Sequence, residues 1–127
     1  MNKPVLPKGS LLNSFGYAFQ GLKTLILHER NFKIHIVVAI VAIVCCIFFR
    51  VHVSEWIFVL LLIGLVLCLE AVNTAIECIC DFISPGYDER IKRIKDIASG
   101  AVLIAAIIAV IIGCIIFIPY FFQYLNI

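Results

Sequence analysis

The sequence predicts an all-α membrane protein: an N-terminal amphipathic surface helix followed by three transmembrane helices. Three observations carry that expectation. Of the 127 residues, 64% are hydrophobic and the mean hydropathy is +1.15, against roughly 45–50% apolar content in soluble domains. Three long apolar runs follow one another, at 32–49, 56–82 and 97–118. The second of them ends in polar residues, three of them acids: Glu70, Asn73, Thr74, Glu77 and Asp81 fall on one stripe of a single helix, at about 100° per residue. An ionised group deep in hydrocarbon costs roughly 2.5–3.5 kcal/mol on insertion scales. Such a stripe needs a cation, a metal or a wet protein interior beside it.

Taken in order, residues 1–10 carry Pro4, Pro7 and Gly9 and read as an irregular leader. From Leu12 the apolar residues Phe15, Phe19, Leu22 and Ile26 recur in steps of three and four, with Asn13, Gln20 and Lys23 on other faces. That spacing predicts a helix over 11–29 lying in the membrane interface. The first span, 32–49, covers the layer if Lys33 and His35 snorkel at one end. Residues 50–55 make a short polar turn, and Trp56 anchors the second span, 56–82. Ser84, Pro85 and Gly86 break the chain. Residues 87–96 read as a charged loop, and Pro119 ends the third span, 97–118. The whole chain, 1–127, reads as one domain.

Nine of the ten basic residues lie before the first span, at its very start (Lys33) or between the second and third, and Arg50 alone is in the other loop. The positive-inside rule then places the amino terminus and the second loop in the cytoplasm. No compact apolar region with a small-residue cleavage site opens the chain, so a bacterial cytoplasmic membrane is the simplest home. Glu70 lies about 21 Å along the helix from Trp56, and Glu77 and Asp81 follow toward the aqueous boundary. A net charge of +2 offers nothing to nucleic acid. The six cysteines lack metal-binding spacing and read as small apolar side chains.

An acid in the acyl region with others at the boundary suits a reaction joining a lipid headgroup to a cytosolic reagent. Glu70 is placed to accept a proton from a lipid hydroxyl; Glu29 and Glu77 offer the oxygen ligands Mg²⁺ prefers. Lys95 is a cation for transferring phosphoryl oxygens. No Walker A sequence or kinase glycine-rich loop is present. A small oligomeric proton-coupled transporter or channel is the alternative, since such proteins also keep carboxylates in membrane helices. It requires polar groups through the full thickness, and the outer half of every span is apolar. Plainer readings attach to single residues: Asn73 and Thr74 as glue between helices, Lys95 and Asp96 as a solvated pair, Tyr17 as an interfacial anchor.

The element E-x-x-N-[ST]-A-[IV]-E at Glu70–Glu77, with Asp81 after it and Lys95, Asp96 and Ser99 beyond a charged stretch, resembles the small prokaryotic diacylglycerol kinase family, which includes the undecaprenol kinases. The segments from Phe15 to Lys23 and from His28 to His35 extend the likeness to about 11–118. The resemblance implies a membrane lipid kinase of homotrimeric bundle form, with composite active sites where protomers meet, ATP as co-substrate and Mg²⁺ as cofactor. By position it implies Glu70 as the catalytic base and Glu29 and Glu77 as metal ligands. It implies ATP contacts from Tyr17, Glu29, Glu77, Gly86, Tyr87, Asp88, Lys95 and Asp96, and a supporting or lipid-substrate role for Asn73, Asp81 and Ser99. Ser10 stands where the family often has a phosphate-binding arginine, leaving Lys8 as the nearest cation; Asp88 stands where histidine also occurs. His28, Glu29, Arg30, Asn31, Phe32 and His35 are more like the undecaprenol-directed branch, which favours undecaprenol as acceptor over diacylglycerol.

Overall fold

The computed structural model describes residues 11–126, so the leader with Lys8 and Ser10 lies outside the described residues. Four helices follow one another: α1 Leu11–His28, α2 Arg30–Phe49, α3 Val53–Ile83 and α4 Glu89–Tyr124. The last three are long and apolar enough to cross a membrane. Side chains such as Phe48, Leu61 and Phe82 leave their exterior apolar and exposed, as lipid-facing surface must be. The chain is a membrane protein. Helix α1 has no buried residue and packs on α2.

The buried positions explain how the long helices pack. On α2 they are Phe32, Ala39 and Cys46; on α3 they include Val59, Val66, Asn73 and Cys80. Each series steps by seven. Val102 and Ile116 on α4 are two such steps apart. A seven-residue repeat keeps one seam facing its neighbour when helices cross at a shallow angle of about 20°. Helix α3 is the centre of the arrangement, packed most extensively on α4 and next on α2. The tightest core lies away from the acids, where Cys46, Val51, Val59 and Ile116 are buried among Phe49, Trp56, Phe117 and Tyr120.

Helix ends depart from the sequence reading in three places. The charged stretch 87–96 is helix from Glu89 onward. Asp88 starts it by accepting the Arg90 N–H at 2.8 Å, the N-cap bond that satisfies a donor the first turn leaves open. Pro119 does not end α4, which runs on to Tyr124. The ring removes one N–H and crowds the preceding turn, yet side-chain bonds hold the last turns in place. The Tyr120 hydroxyl donates to Glu55 Oε2 at 2.5 Å and accepts the His52 N–H at 3.2 Å. The polar turn at 50–55 also shrinks, because α3 begins at Val53 and Arg50 closes α2 with left-handed backbone (φ 51°, ψ 48°). The Arg50 and Val51 N–H groups return to the Ile47 and Cys46 carbonyls at 3.2 Å, the satisfied C-terminal turn for which a glycine is the usual choice.

Candidate active site

The polar stripe of α3 is where α2 and α4 close over it. Glu70 and Asn73 are each 3% exposed and Thr74 is 9% exposed, Glu77 is half-buried, and Asp81 is exposed. The burial follows from the seam: Asn73 occupies the next step after Val59 and Val66, and Glu70 and Thr74 flank it on the same face. Phe32 and Ala39 of α2 and Val102 and Ala105 of α4 are the buried apolar side chains of the adjoining helices. Around Glu70 stand Asn31 and His35 of α2, and the charges of Glu29 and Glu77 reach it. Glu29 itself is the single extended residue between α1 and α2 (φ −95°, ψ 115°) and caps α2. A one-residue break thus brings it to the stripe.

Asn73 Nδ2 donates to Glu77 Oε1 at 3.1 Å. Its Oδ1 is buried and has no hydrogen-bond partner. An unsatisfied buried acceptor costs about 1–3 kcal/mol, so the oxygen is a candidate for a ligand contact.

Nearer the start of α4 the charges pair off. Lys95 Nζ meets Asp81 Oδ1 at 2.6 Å, tying α4 to α3, and Lys92 Nζ meets Asp96 Oδ2 at 2.7 Å along one helix face. The Arg90 guanidinium lies 3.0 Å from Asp88 Oδ2, and its hydrogen bonds hold the Asp88 carboxyl down to about 2. A polar pocket of about 200 Å³ is lined by Tyr87, Glu89, Lys92, Arg93 and Asp96. The sequence reading selects Tyr87 and Asp96 and misses the other three. Their spacing, 89, 92, 93 and 96, is the one-face pattern of a helix, hidden as long as the segment is read as a loop.

The site residues therefore fall into two groups. Glu70, Asn73 and Glu77 lie on the stripe of α3 with Glu29 near them at the start of α2, while Tyr87, Asp88, Lys95 and Asp96 gather around the start of α4 with Asp81 between. Ser99 is exposed and bonds back to the Asp96 carbonyl at 3.1 Å. Gly86 is exposed and its carbonyl accepts from Ser84 Oγ at 3.1 Å. Tyr17 is exposed on α1. No cluster of three histidine, cysteine or acidic residues set for a metal ion occurs among the described residues. All six cysteines are free; only Cys46 and Cys80 are buried, and Cys68, Cys78 and Cys114 belong to the exposed apolar exterior.

Beside the stripe, α2, α3 and α4 leave an open apolar cleft of about 490 Å³. His35 is the one ionisable residue of its lining apart from Cys114, and Ala39, Ala42, Ala106, Ala109 and Gly113 supply the small side chains that make room. Polar groups do not continue along it, and nothing among the described residues supports a transport path.

The family model described as prokaryotic diacylglycerol kinase matches residues 16–117. An undecaprenol kinase of Bacillus subtilis is 39% identical over 84% of this chain and 86% of its own length. A diacylglycerol kinase of Synechocystis is 37% identical over 87% of this chain and 63% of its own. The diacylglycerol kinase of Escherichia coli K12 is 33% identical over 87% of this chain and 91% of its own. With a match of that length over the very helices that carry the stripe, this chain belongs to the prokaryotic diacylglycerol kinase family, phosphotransferases with an alcohol acceptor.

Proposed function

We propose that the protein phosphorylates the hydroxyl of a membrane lipid alcohol with ATP, undecaprenol first and diacylglycerol next. One observation carries the reading: a carboxylate 3% exposed, Glu70, stands in a membrane helix close to an apolar cleft large enough for hydrocarbon. The tail lies in the cleft and the hydroxyl meets Glu70. Glu70 takes the hydroxyl proton as the lipid oxygen attacks the γ-phosphorus; the bond from that phosphorus to the bridging oxygen breaks, and ADP leaves. General-base assistance of this kind is worth about 10²–10⁴-fold.

Undecaprenol is favoured on the run His28, Glu29, Arg30, Asn31, Phe32 and His35, and the undecaprenol kinase of Bacillus subtilis has the higher identity of the relatives named above. ATP is held from the start of α4, with Lys95 at the phosphates, Tyr87, Asp88, Asp96 and Gly86 around it, and Tyr17 contributed from α1. Lys95 gives one of its three N–H donors to Asp81 and keeps two for a phosphate.

Magnesium fits the donor set. Glu29 and Glu77 are carboxylates, and Asn73 Oδ1 is a buried oxygen without a partner; Mg²⁺ takes such hard oxygens, commonly one or two carboxylates with the substrate phosphates. Glu29 and Glu77 would hold the ion, which when bound neutralises phosphate charge. The chain works as a homotrimer with composite sites, in the bacterial cytoplasmic membrane. Its amino terminus and acidic stripe face the cytoplasm, and α1 lies along the membrane surface. The single domain spans 1–127, and Ser99 supports the pocket wall.

A competition assay tests the reading. Purified protein receives Mg-ATP and equal amounts of undecaprenol and diacylglycerol in micelles, and the phosphorylated product is identified. Undecaprenyl phosphate should dominate. A product made mainly from diacylglycerol would overturn the acceptor assignment, and neither product would overturn the activity.

A further inference from the structure

Asn73 sits where a small apolar side chain belongs. It is one step of the seam Val59, Val66, Asn73, Cys80 and is 3% exposed. A buried asparagine in a membrane helix ordinarily bonds a neighbouring helix and so ties the two together. This one bonds its own helix: Nδ2 donates to Glu77 Oε1, four residues on, at 3.1 Å. Its other end is unbonded.

Chemistry decides which way the amide faces. An ionised carboxylate only accepts hydrogen bonds, so the NH₂ group must face Glu77 and Oδ1 must face away. The glutamate side chain turns about three bonds and is half-buried; one donor from the preceding helical turn selects a single placement of its carboxylate. We propose that Asn73 is a positioning residue for Glu77: its Nδ2 donor fixes the carboxylate that receives the cation. The inference rests on the reading of Glu77 as a magnesium ligand. It assigns Asn73 no proton transfer, and it replaces the role of helix glue.

Metal binding without turnover tests it. Mn²⁺ is titrated by electron paramagnetic resonance into the purified, assembled protein with a non-hydrolysable ATP analogue. The proteins compared are the parent, Asn73→Leu, Asn73→Gln and Glu77→Gln. Removing a group that orients a metal ligand weakens binding by about 10–100-fold, which is the change expected for Asn73→Leu. Asn73→Gln keeps the donor and should recover part of the loss. Parent-like Mn²⁺ affinity in Asn73→Leu, with Glu77→Gln weakened, would overturn the role of Asn73 alone. Parent-like affinity in Glu77→Gln would overturn the metal reading beneath it. Should Asn73→Leu fail to assemble, solid-state NMR of the parent in bilayers decides. The Asn73 side-chain amide signal should shift when Mg²⁺ and the analogue are added, and a fixed signal would overturn the proposal.

Discussion

Replacing Glu70 by glutamine separates the chemistry of the site from its packing. The side chain is 3% exposed with Asn31 and His35 of α2 beside it, so an isosteric change opens no cavity and forces no repacking. It removes the base alone. General-base catalysis contributes about 10²–10⁴-fold, or about 2.7–5.5 kcal/mol of barrier at 1.36 kcal/mol for each factor of ten. The amide fills the same space and keeps an oxygen for the Asn31 side chain, so the packing around it is preserved. Glu70→Gln should therefore lose at least about 100-fold in kcat while its Tm holds and ATP binding persists. The assay is transfer of labelled phosphate to lipid in micelles, run beside thermal unfolding and nucleotide titration. A variant that phosphorylates lipid near the parent rate would refute the base. One that loses activity together with its assembly would show that burial of Glu70 serves packing.

Three further outcomes follow from the ion pairs and the helix ends. Lys95 is held by Asp81 at 2.6 Å, so Lys95→Met should raise KM for ATP and Asp81→Asn, which frees the ammonium, should leave it level or lower it; steady-state titration of ATP distinguishes them. Asp88→Ala removes the bond to the Arg90 N–H, and hydrogen exchange should quicken in the first turn of α4. The Asp88 carboxyl is depressed from 3.8 to about 2, so its stabilisation is complete above the unfolded value and lost as pH falls through the folded one. The Tm difference between parent and Asp88→Ala should accordingly be present above pH 3.8 and vanish as pH falls through about 2. Tyr120→Phe removes the hydroxyl shared by Glu55 and His52; Tm should fall with kcat unchanged, and a parallel loss of kcat would show that this end of the bundle is coupled to the acids.

The membrane helices are legible because apolar length is read directly from composition. The stripe is legible because five polar residues at helical spacing inside such a run demand a polar partner or a wet interior. The ends are not. Reading 87–96 as a loop weights its charges and overlooks Asp88, whose carboxylate starts a helix over the same residues. Reading Pro119 as a stop weights the lost N–H and overlooks the Tyr120 hydroxyl, whose partners Glu55 and His52 are 65 and 68 residues away in the chain. A contact of that separation has no local signature. The two-group layout is hidden for the same reason, since it depends on which face of α4 turns toward Asp81. The seven-residue seam is open to discovery in advance: Val59, Val66, Asn73 and Cys80 stand in register in the sequence, with a polar residue at the third step.

That seam explains why the site lies at one end of the bundle. A packing seam holds helices together through well-fitted apolar side chains or through hydrogen bonds between helices. Here the fitted end is the one with Cys46, Val51, Val59 and Ile116. The aromatic contacts between α2 and α4 are all there too: Phe48 with Tyr124, and Phe49 with Phe117, Tyr120 and Tyr124. Farther along the same seam Asn73 replaces an apolar side chain and Glu70 and Thr74 flank it, so packing is surrendered there. The open cleft runs from the pinned end along Val59, Ile63 and Val66 and stops at Leu67, one turn short of Glu70. A lipid that diffuses in the plane of the membrane needs such a sideways entrance, and it supplies apolar contact of its own once inside. The apolar cleft and the acids therefore lie end to end along α3, and polar residues confined to one half of that helix leave the other half free to pack.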